Sequence, residues 1–466
     1  MFNRRELLKD GLSALGFLAL PGGLYAAPAG WKPKKKPNLV FGILSDTHLM
    51  VEWDGKSLYR SMTLDYIYNA FKLFKSHKID AFVHLGDASH RGCVREWEFH
   101  KEVFEKVFGK AGGPEKVIVV GNHELFGGDG HCRGVYRDQK VWEENAICAD
   151  VKRHYERIWG APYSEFFHRE INGCHFFGRH WVSMVEEYKG TREQPFADYI
   201  LSHAESCSLQ GAKPFFILSH RRHHFRFCNT IGRFPNAIAF MGHWHQSNAD
   251  WKSIYCDRDT FGGFFPHMEV GACRYDGHNG MYPPGEINLP EDSSSFKGAN
   301  LPSRQAMIVN VYDDMVVFER HEVGEGGKLG PDWVLPLGQH KPHPFLTAEL
   351  KKVDGRPEFG KRAKIEVVKA ADGLIVSIPP ADGNPDVRPY AYNVVVVGVD
   401  PKVKFFKSEY FSGVNSGVGH EPNRGITRVT IPLAELPAGK KLTVAVRPVS
   451  SLGNKGKTIG TTWRKT

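Results

Sequence analysis

Residues 236–246 read NAIAFMGHWHQ, an apolar run that ends in glycine and passes into two histidines flanking one tryptophan. On a helix, positions two apart lie about 200° apart around the axis, so His243 and His245 could not serve one site from there. On an extended segment they can, because successive side chains alternate faces and both imidazoles fall on the side away from Trp244. Taken alone, the pair could bind a metal ion or cap a strand.

The same grammar occurs four more times. NLVFGILS (38–45) runs into Asp46-Thr47-His48, DAFVHL (80–85) into Gly86-Asp87, KVIVV (116–120) into Gly121-Asn122-His123-Glu124, and PFFIL (214–218) into Ser219-His220. Short apolar runs bounded by glycine read as buried strands. Helix-like stretches over 56–78 and 94–110 separate the first three, and this alternation predicts an α/β fold with a mostly parallel sheet. In such sheets the ligand site lies beyond the carboxyl ends of the strands, so the five clusters should converge. Each cluster has an ordinary alternative as a cap, a turn dipeptide or a satisfied polar residue. The ordered set does not.

That set resembles the calcineurin-like metallophosphoesterases, whose motifs run D-x-H, GD, GNH[D/E], H and GHxH. The resemblance covers about Asn38 to Leu337 and implies a four-layer α/β/β/α sandwich with two adjacent metal ions. Asp46, His48 and His245 would hold one ion, Asn122, His220 and His243 the other, and Asp87 would bridge them. The mixture of imidazole, amide and carboxylate suits Mn, Fe or Zn better than Mg or Ca. Two such ions about 3.5–4 Å apart clamp a phosphoryl group and acidify a shared water, giving a bridging hydroxide that attacks a phosphate monoester or diester. A bridging ligand is expected to be a bidentate anion, hence Asp87. His123, one residue past a ligand, is placed to protonate the leaving oxygen as general acid, with Glu124 to orient or screen it.

Departures from the family pattern narrow the chemistry. Purple acid phosphatases carry tyrosine three residues after the bridging aspartate, where this chain has His90, so a tyrosinate–iron site is not expected. Arg221 and Arg222 follow His220 and either bind phosphate oxygens or pair with local acids. The stretch from Gly271 to Ser303, rich in glycine, proline and serine, is long for a compact domain and is placed along the cleft or left without fixed structure.

At 466 residues and 41% hydrophobic content, the chain is large enough for more than one packed core. Residues 1–29 read as an export signal: Arg4-Arg5 with Leu8 and Lys9 resembles a twin-arginine signal, although Asn3 and Leu7 depart from its pattern. The following linker, 30–37, is basic. Together these imply a periplasmic or extracellular protein, with an uncleaved N-terminal anchor as the alternative. The eight cysteines show no C-x-x-C spacing, which leaves zinc-ribbon and thioredoxin chemistry without support and allows either disulfides or buried thiols.

After the catalytic region, taken as 38–340, the composition changes. Residues 341–466 hold 21 Lys+Arg against 11 Asp+Glu, while the preceding part is slightly acidic. Six alternating runs, AKIEVV, LIVSI, YAYNVVVVG, KFFKSEYF, ITRVTI and KLTVAVRPV, predict a C-terminal β-sandwich that resembles a fibronectin type III module. Its basic surface is expected to favour an anionic membrane or cell-wall polymer, and nucleic acid stays open as a partner. Two functions follow: an exported metal-dependent phosphoesterase, or an exported binding protein whose metal fold is a scaffold. The complete ligand set favours the first.

Overall fold

The computed structural model of the chain describes residues 25–26, 32–53, 58–62, 64–125, 138–245, 248, 253–255, 265–273, 304–324, 327–329, 331–337, 355–371, 373–384, 389, 391–398, 404–411, 427–436, 441–450 and 453–464. The twin-arginine segment, the linker GQHKPHP and nearly all of Gly271–Ser303 lie outside these residues. Among the described residues, no helix is long and apolar enough to cross a membrane.

The five apolar runs are strands, as predicted: β1 (Leu39–Leu44), β2 (Ala81–His84), β3 (Glu115–Ile118), β6 (Phe215–Ser219) and β7 (Ala237–Met241). They do not share one sheet. β1, β2 and β3 are parallel neighbours in a seven-stranded sheet, which β9 (Gln305–Val311), β10 (Met315–Glu322), β11 (Trp333–Pro336) and the pair Tyr25–Ala26 extend antiparallel. A second sheet of six strands runs Ile254–Tyr255, β8 (His267–Glu269), β7, β6, β5 (Cys174–Arg179) and β4 (Phe166–Ile171), with β5 to β8 mutually parallel. The alternation of strand and helix predicted a mostly parallel sheet, and the strands fall instead into two mixed sheets, as the four-layer sandwich implied by the resemblance requires.

Each run is apolar throughout because each sheet is covered on both faces. Phe41 and Ile43 of β1, Phe176 of β5, Phe216 and Leu218 of β6, and Ile238 and Phe240 of β7 share one core between the sheets. There Phe41 meets Phe216 edge-on at 4.9 Å. The alternate residues face helices. On the first sheet, Phe82 and Ile118 pack with Ile67, Phe71 and Phe74 of α1 (Leu64–Ser76), Trp97 and Phe104 of α2 (Val94–Phe108), and Ile158 and Trp159 of α3 (Val151–Trp159). On the second, Phe177, Phe215 and Ile217 pack with Phe196 and Ile200 of α4 (Glu193–Ser202) and with Phe227 and Ile231 of α5 (Phe225–Ile231). Three cores between four layers make the α/β/β/α sandwich.

The helix predicted over 56–78 is divided. Leu58–Met62 pairs antiparallel with Met50–Trp53, and α1 begins at Leu64 with Asp65 in its first turn and Lys75 in its last, both favourable to the helix dipole. Among the described residues, Cys174, Cys207 and Cys273 are free thiols, whereas Cys93 is in a disulfide.

Among the described residues, the tail forms a β-sandwich of seven strands. A three-stranded sheet of β12 (Glu366–Lys369), β13 (Gly373–Ile378) and β16 (Thr427–Pro432) is joined in the tail by a four-stranded sheet. The latter runs β15 (Lys404–Phe411), β14 (Ala391–Val397), β17 (Lys441–Val449) and β18 (Ile459–Arg464). Leu374, Val376 and Ile378 meet Tyr392, Val394, Val396, Val444 and Val446 in a core of their own. The seventh strand, β18, was not among the six predicted.

Candidate metal centre

All the residues singled out as ligands stand just past the carboxyl ends of β1, β2, β3, β6 and β7, and they converge. Four of the seven (Asp46, His48, Asp87 and Asn122) follow strands of the first sheet and three (His220, His243 and His245) follow strands of the second, so the site straddles the common edge of the two sheets.

The expectation that His243-Trp244-His245 is extended was wrong. β7 ends at Met241, and His243 (φ 73°) and His245 (φ 53°) are both in the left-handed region, as are Asp46 (φ 50°), His48 (φ 40°) and Asp87 (φ 54°). Non-glycine residues take that conformation at a cost, and its concentration in one place marks backbone bent to aim side chains. Two glycines make room for the bends. A Cβ on Gly242 would lie 1.9 Å from Ser45 Oγ and 2.4 Å from Asp46 Oδ2, and one on Gly121 would lie 2.2 Å from Asp87 Oδ1.

The donor atoms form two clusters. Asp46 Oδ1 is 3.0 Å from His245 Nε2, which is 3.1 Å from His48 Nε2. Asp87 Oδ2 is 3.1 Å from His220 Nε2, and Asn122 Oδ1 is 2.9 Å from both His220 Nε2 and His243 Nδ1. The sets Asp46/His48/His245 and Asp87/His220/His243 each bring their ligand atoms within 4.8 Å of one another. With bonds of about 2.0–2.1 Å, donors at right angles around one ion stand about 2.9 Å apart, so these spacings fit shared coordination. Asp87 Oδ2 also lies 3.7 Å from His48 Nε2 and thus faces both clusters.

Other groups fix the donors. Ser45 Oγ donates to Asp46 Oδ2 at 2.5 Å, and the His243 backbone N–H donates to the same oxygen at 3.0 Å. The His123 N–H donates to Asp87 Oδ1, which leaves Oδ2 as the oxygen turned toward both clusters. His220 Nδ1 sits 2.8 Å from the Leu85 carbonyl, which sets its ring with Nε2 inward.

His123 is at the site, its Nε2 3.9 Å from Asp87 Oδ2. Its orienting partner is not Glu124 but the His90 carbonyl, 2.8 Å from Nδ1. Glu124 is fully buried beneath and accepts the backbone N–H groups of Asp87, Ser89 and Gly121, tying two ligand loops together. His90 itself stacks on His123 at 5.4 Å and belongs with His48 and His123 to a third group of closely placed nitrogens. Arg222 lies over the Trp244 ring at 5.4 Å. Burial raises the Glu187 carboxyl, and the charges of Arg179 and, behind it, Arg221 act the other way.

Electrostatics separate the two kinds of ligand. Burial would raise Asp46, but His245 and His48 hold it well below the usual carboxylate range, and His220 and His123 do the same to Asp87. Burial pushes His48 and His243 down to about 3, whereas His220, against burial, is lifted to about 10 by Asp87. Burial and the Asp87 charge push Glu124 up to about 7.

Sequence reasoning did not single out Trp181 or His84. The Trp181 ring lies 5.2 Å from His243 and 5.7 Å from His220, and His84 Nε2 is 3.1 Å from Thr47 Oγ1. Trp181 had a signal: CHFFGRHW is a sixth apolar run ending in polar residues.

Residues 39–247 match the family described as calcineurin-like phosphoesterase. No curated protein matches the chain. Among solved structures, it is similar to a dimetal phosphatase from Danio rerio at 11% identity, covering 65% of this chain and 100% of that one, with a TM-score of 0.35. A purple acid phosphatase from yellow lupin seeds is similar at 13% identity, with 64% and 55% covered and a TM-score of 0.39. A 5'-nucleotidase precursor from Thermus thermophilus is similar at 9% identity, with 91% and 88% covered and a TM-score of 0.29. Overlaps this loose say nothing of activity or substrate. The family match, the motif order and the gathering of all five motifs at one edge agree, and the region 39–247 is a calcineurin-like metallophosphoesterase domain.

Proposed function

We propose that this domain hydrolyses phosphate esters with the help of two transition-metal ions. The observation that carries the reading is the pair of donor clusters facing a single carboxylate oxygen, Asp87 Oδ2. Imidazole, carboxylate and amide donors at 2.9–3.1 Å spacings fit Mn, Fe or Zn. Asp46, His48 and His245 would hold one ion, Asn122, His220 and His243 the other, with Asp87 between. Bound ions supply Lewis acidity toward a phosphoryl oxygen and make water acidic enough to act near neutral pH.

The chain's own groups do the rest. His123 is held at Nδ1 by the His90 carbonyl, so Nε2 is the atom that delivers a proton to the departing oxygen. Burial lowers this imidazole, and the Asp87 charge and the His90 carbonyl support its protonated form. Arg222, lying over the Trp244 ring, and the adjacent Arg221 would draw in an anionic ester.

The test is a panel of nitrophenyl phosphate, its bis-ester, nucleotides and phospholipids on metal-loaded protein. We expect turnover of at least one ester, abolished in Asp87→Ala, and a fall in kcat of about 10²–10⁴ with metal retained in His123→Ala. Protein that holds two ions and hydrolyses none of the panel would overturn the reading in favour of the scaffold.

A further inference from the structure

A second group of metal-ligating side chains lies outside the catalytic edge. His168 on β4 and His175 on β5 are diagonal neighbours on the helix-facing side of the second sheet, since His168 pairs with Phe177, two residues beyond His175. His168 Nε2 is 3.0 Å from His175 Nδ1, and Cys207 Sγ, in the turn after α4, is 3.8 Å from the same His168 nitrogen. All three ligand atoms lie within 4.8 Å of one another. Tetrahedral zinc with nitrogen and thiolate ligands places its donors about 3.3 Å (N to N) and about 3.6 Å (N to S) apart, close to both distances.

The surroundings suit ligation. The His168 ring is stacked flat on Phe177 at 4.7 Å, which fixes its plane. His203, at the end of α4, has its ring 5.2 Å from that of His168 and its Nδ1 2.8 Å from the Tyr199 carbonyl, the outer hydrogen bond typical of a ligating histidine.

We propose that His168, His175 and Cys207 form a separate site for one soft divalent ion, zinc above all, with His203 flanking the fourth position. The site does not belong to the catalytic pair. His175 pairs with Phe215 at the start of β6, whereas His220 follows the end of that strand, about 15 Å away along it. Binding releases the thiol proton to solvent and ties the β4–β5 hairpin to the turn after α4.

The experiment uses the full chain stripped of metal and titrated with cobalt(II). No ligand proposed for the catalytic pair is a cysteine, so a sulfur-to-cobalt charge-transfer band reports this site alone. We expect the band in the wild type and in Asp87→Ala, its loss in Cys207→Ser and His168→Ala, and one zinc ion fewer per chain in Cys207→Ser with ester turnover unchanged. In unmutated protein, zinc should slow alkylation of Cys207, followed by peptide mapping, at least tenfold. A wild type with no such band, a band that survives Cys207→Ser, or Cys207 alkylated equally fast with and without zinc would overturn the proposal.

Discussion

Residue identities at the metal centre were legible; their backbone angles were not. Aspartate, histidine and asparagine at the ends of apolar runs announce coordination chemistry, because those side chains offer oxygen and nitrogen donors and little else recommends them beside buried strands. The left-handed φ of His243 and His245 has no such signature, and so the pair was read as extended. The Gly242 that precedes them is the visible trace of the bend. Gly242→Ala would drive a methyl group into Ser45 Oγ and Asp46 Oδ2. We expect it to cost about 1–3 kcal/mol in chemical denaturation and to weaken metal binding at least tenfold in a competition titration. Unchanged affinity would mean that the Asp46 position is not set by this contact. Glu124 shows the opposite limit. Its place beside His123 in sequence suggested a role beside it in space, whereas burial directs its carboxylate to three backbone N–H groups instead.

Elements were legible in proportion to their apolarity. β1, β2, β3, β6 and β7 were read because each is buried on both faces, which makes its run continuous. That same continuity hid which sheet each belongs to, since a fully covered strand looks alike in either. The division into two sheets came only from the resemblance to a family. β18 went unread for the converse reason: its residues alternate between half-buried and exposed, and Gly460-Thr461-Thr462 gives no apolar run. Its pairing with β17, from Lys441 opposite Arg464 to Val446 opposite Ile459, is set by the neighbour. The hairpin of Met50–Trp53 with Leu58–Met62 was taken into a helix because α1 follows at once and the periodicity of 64–76 was extended backward.

At the scale of the whole molecule, a slightly acidic catalytic part is followed by a sandwich region with a surplus of ten positive charges. Charges of this kind act over about 10 Å at 0.1 M salt, too short a reach to govern the chemistry but enough to hold a protein at an anionic surface. A chain ending at Leu337 should therefore keep its turnover on a small soluble ester and lose salt-sensitive binding to anionic liposomes, read by co-sedimentation. Equal sedimentation of the two chains would refute that role. The central claim concerns the metal pair, and its most direct measurement is metal titration of turnover. Metal-free protein carrying Cys207→Ser, so that only the catalytic ligands count, is loaded stepwise with manganese or zinc while hydrolysis of an activated phosphate ester is followed. The rate should be near zero without metal, rise, and level off at about two ions per chain. Full turnover by metal-free protein, or a plateau reached at a single ion, would contradict the account.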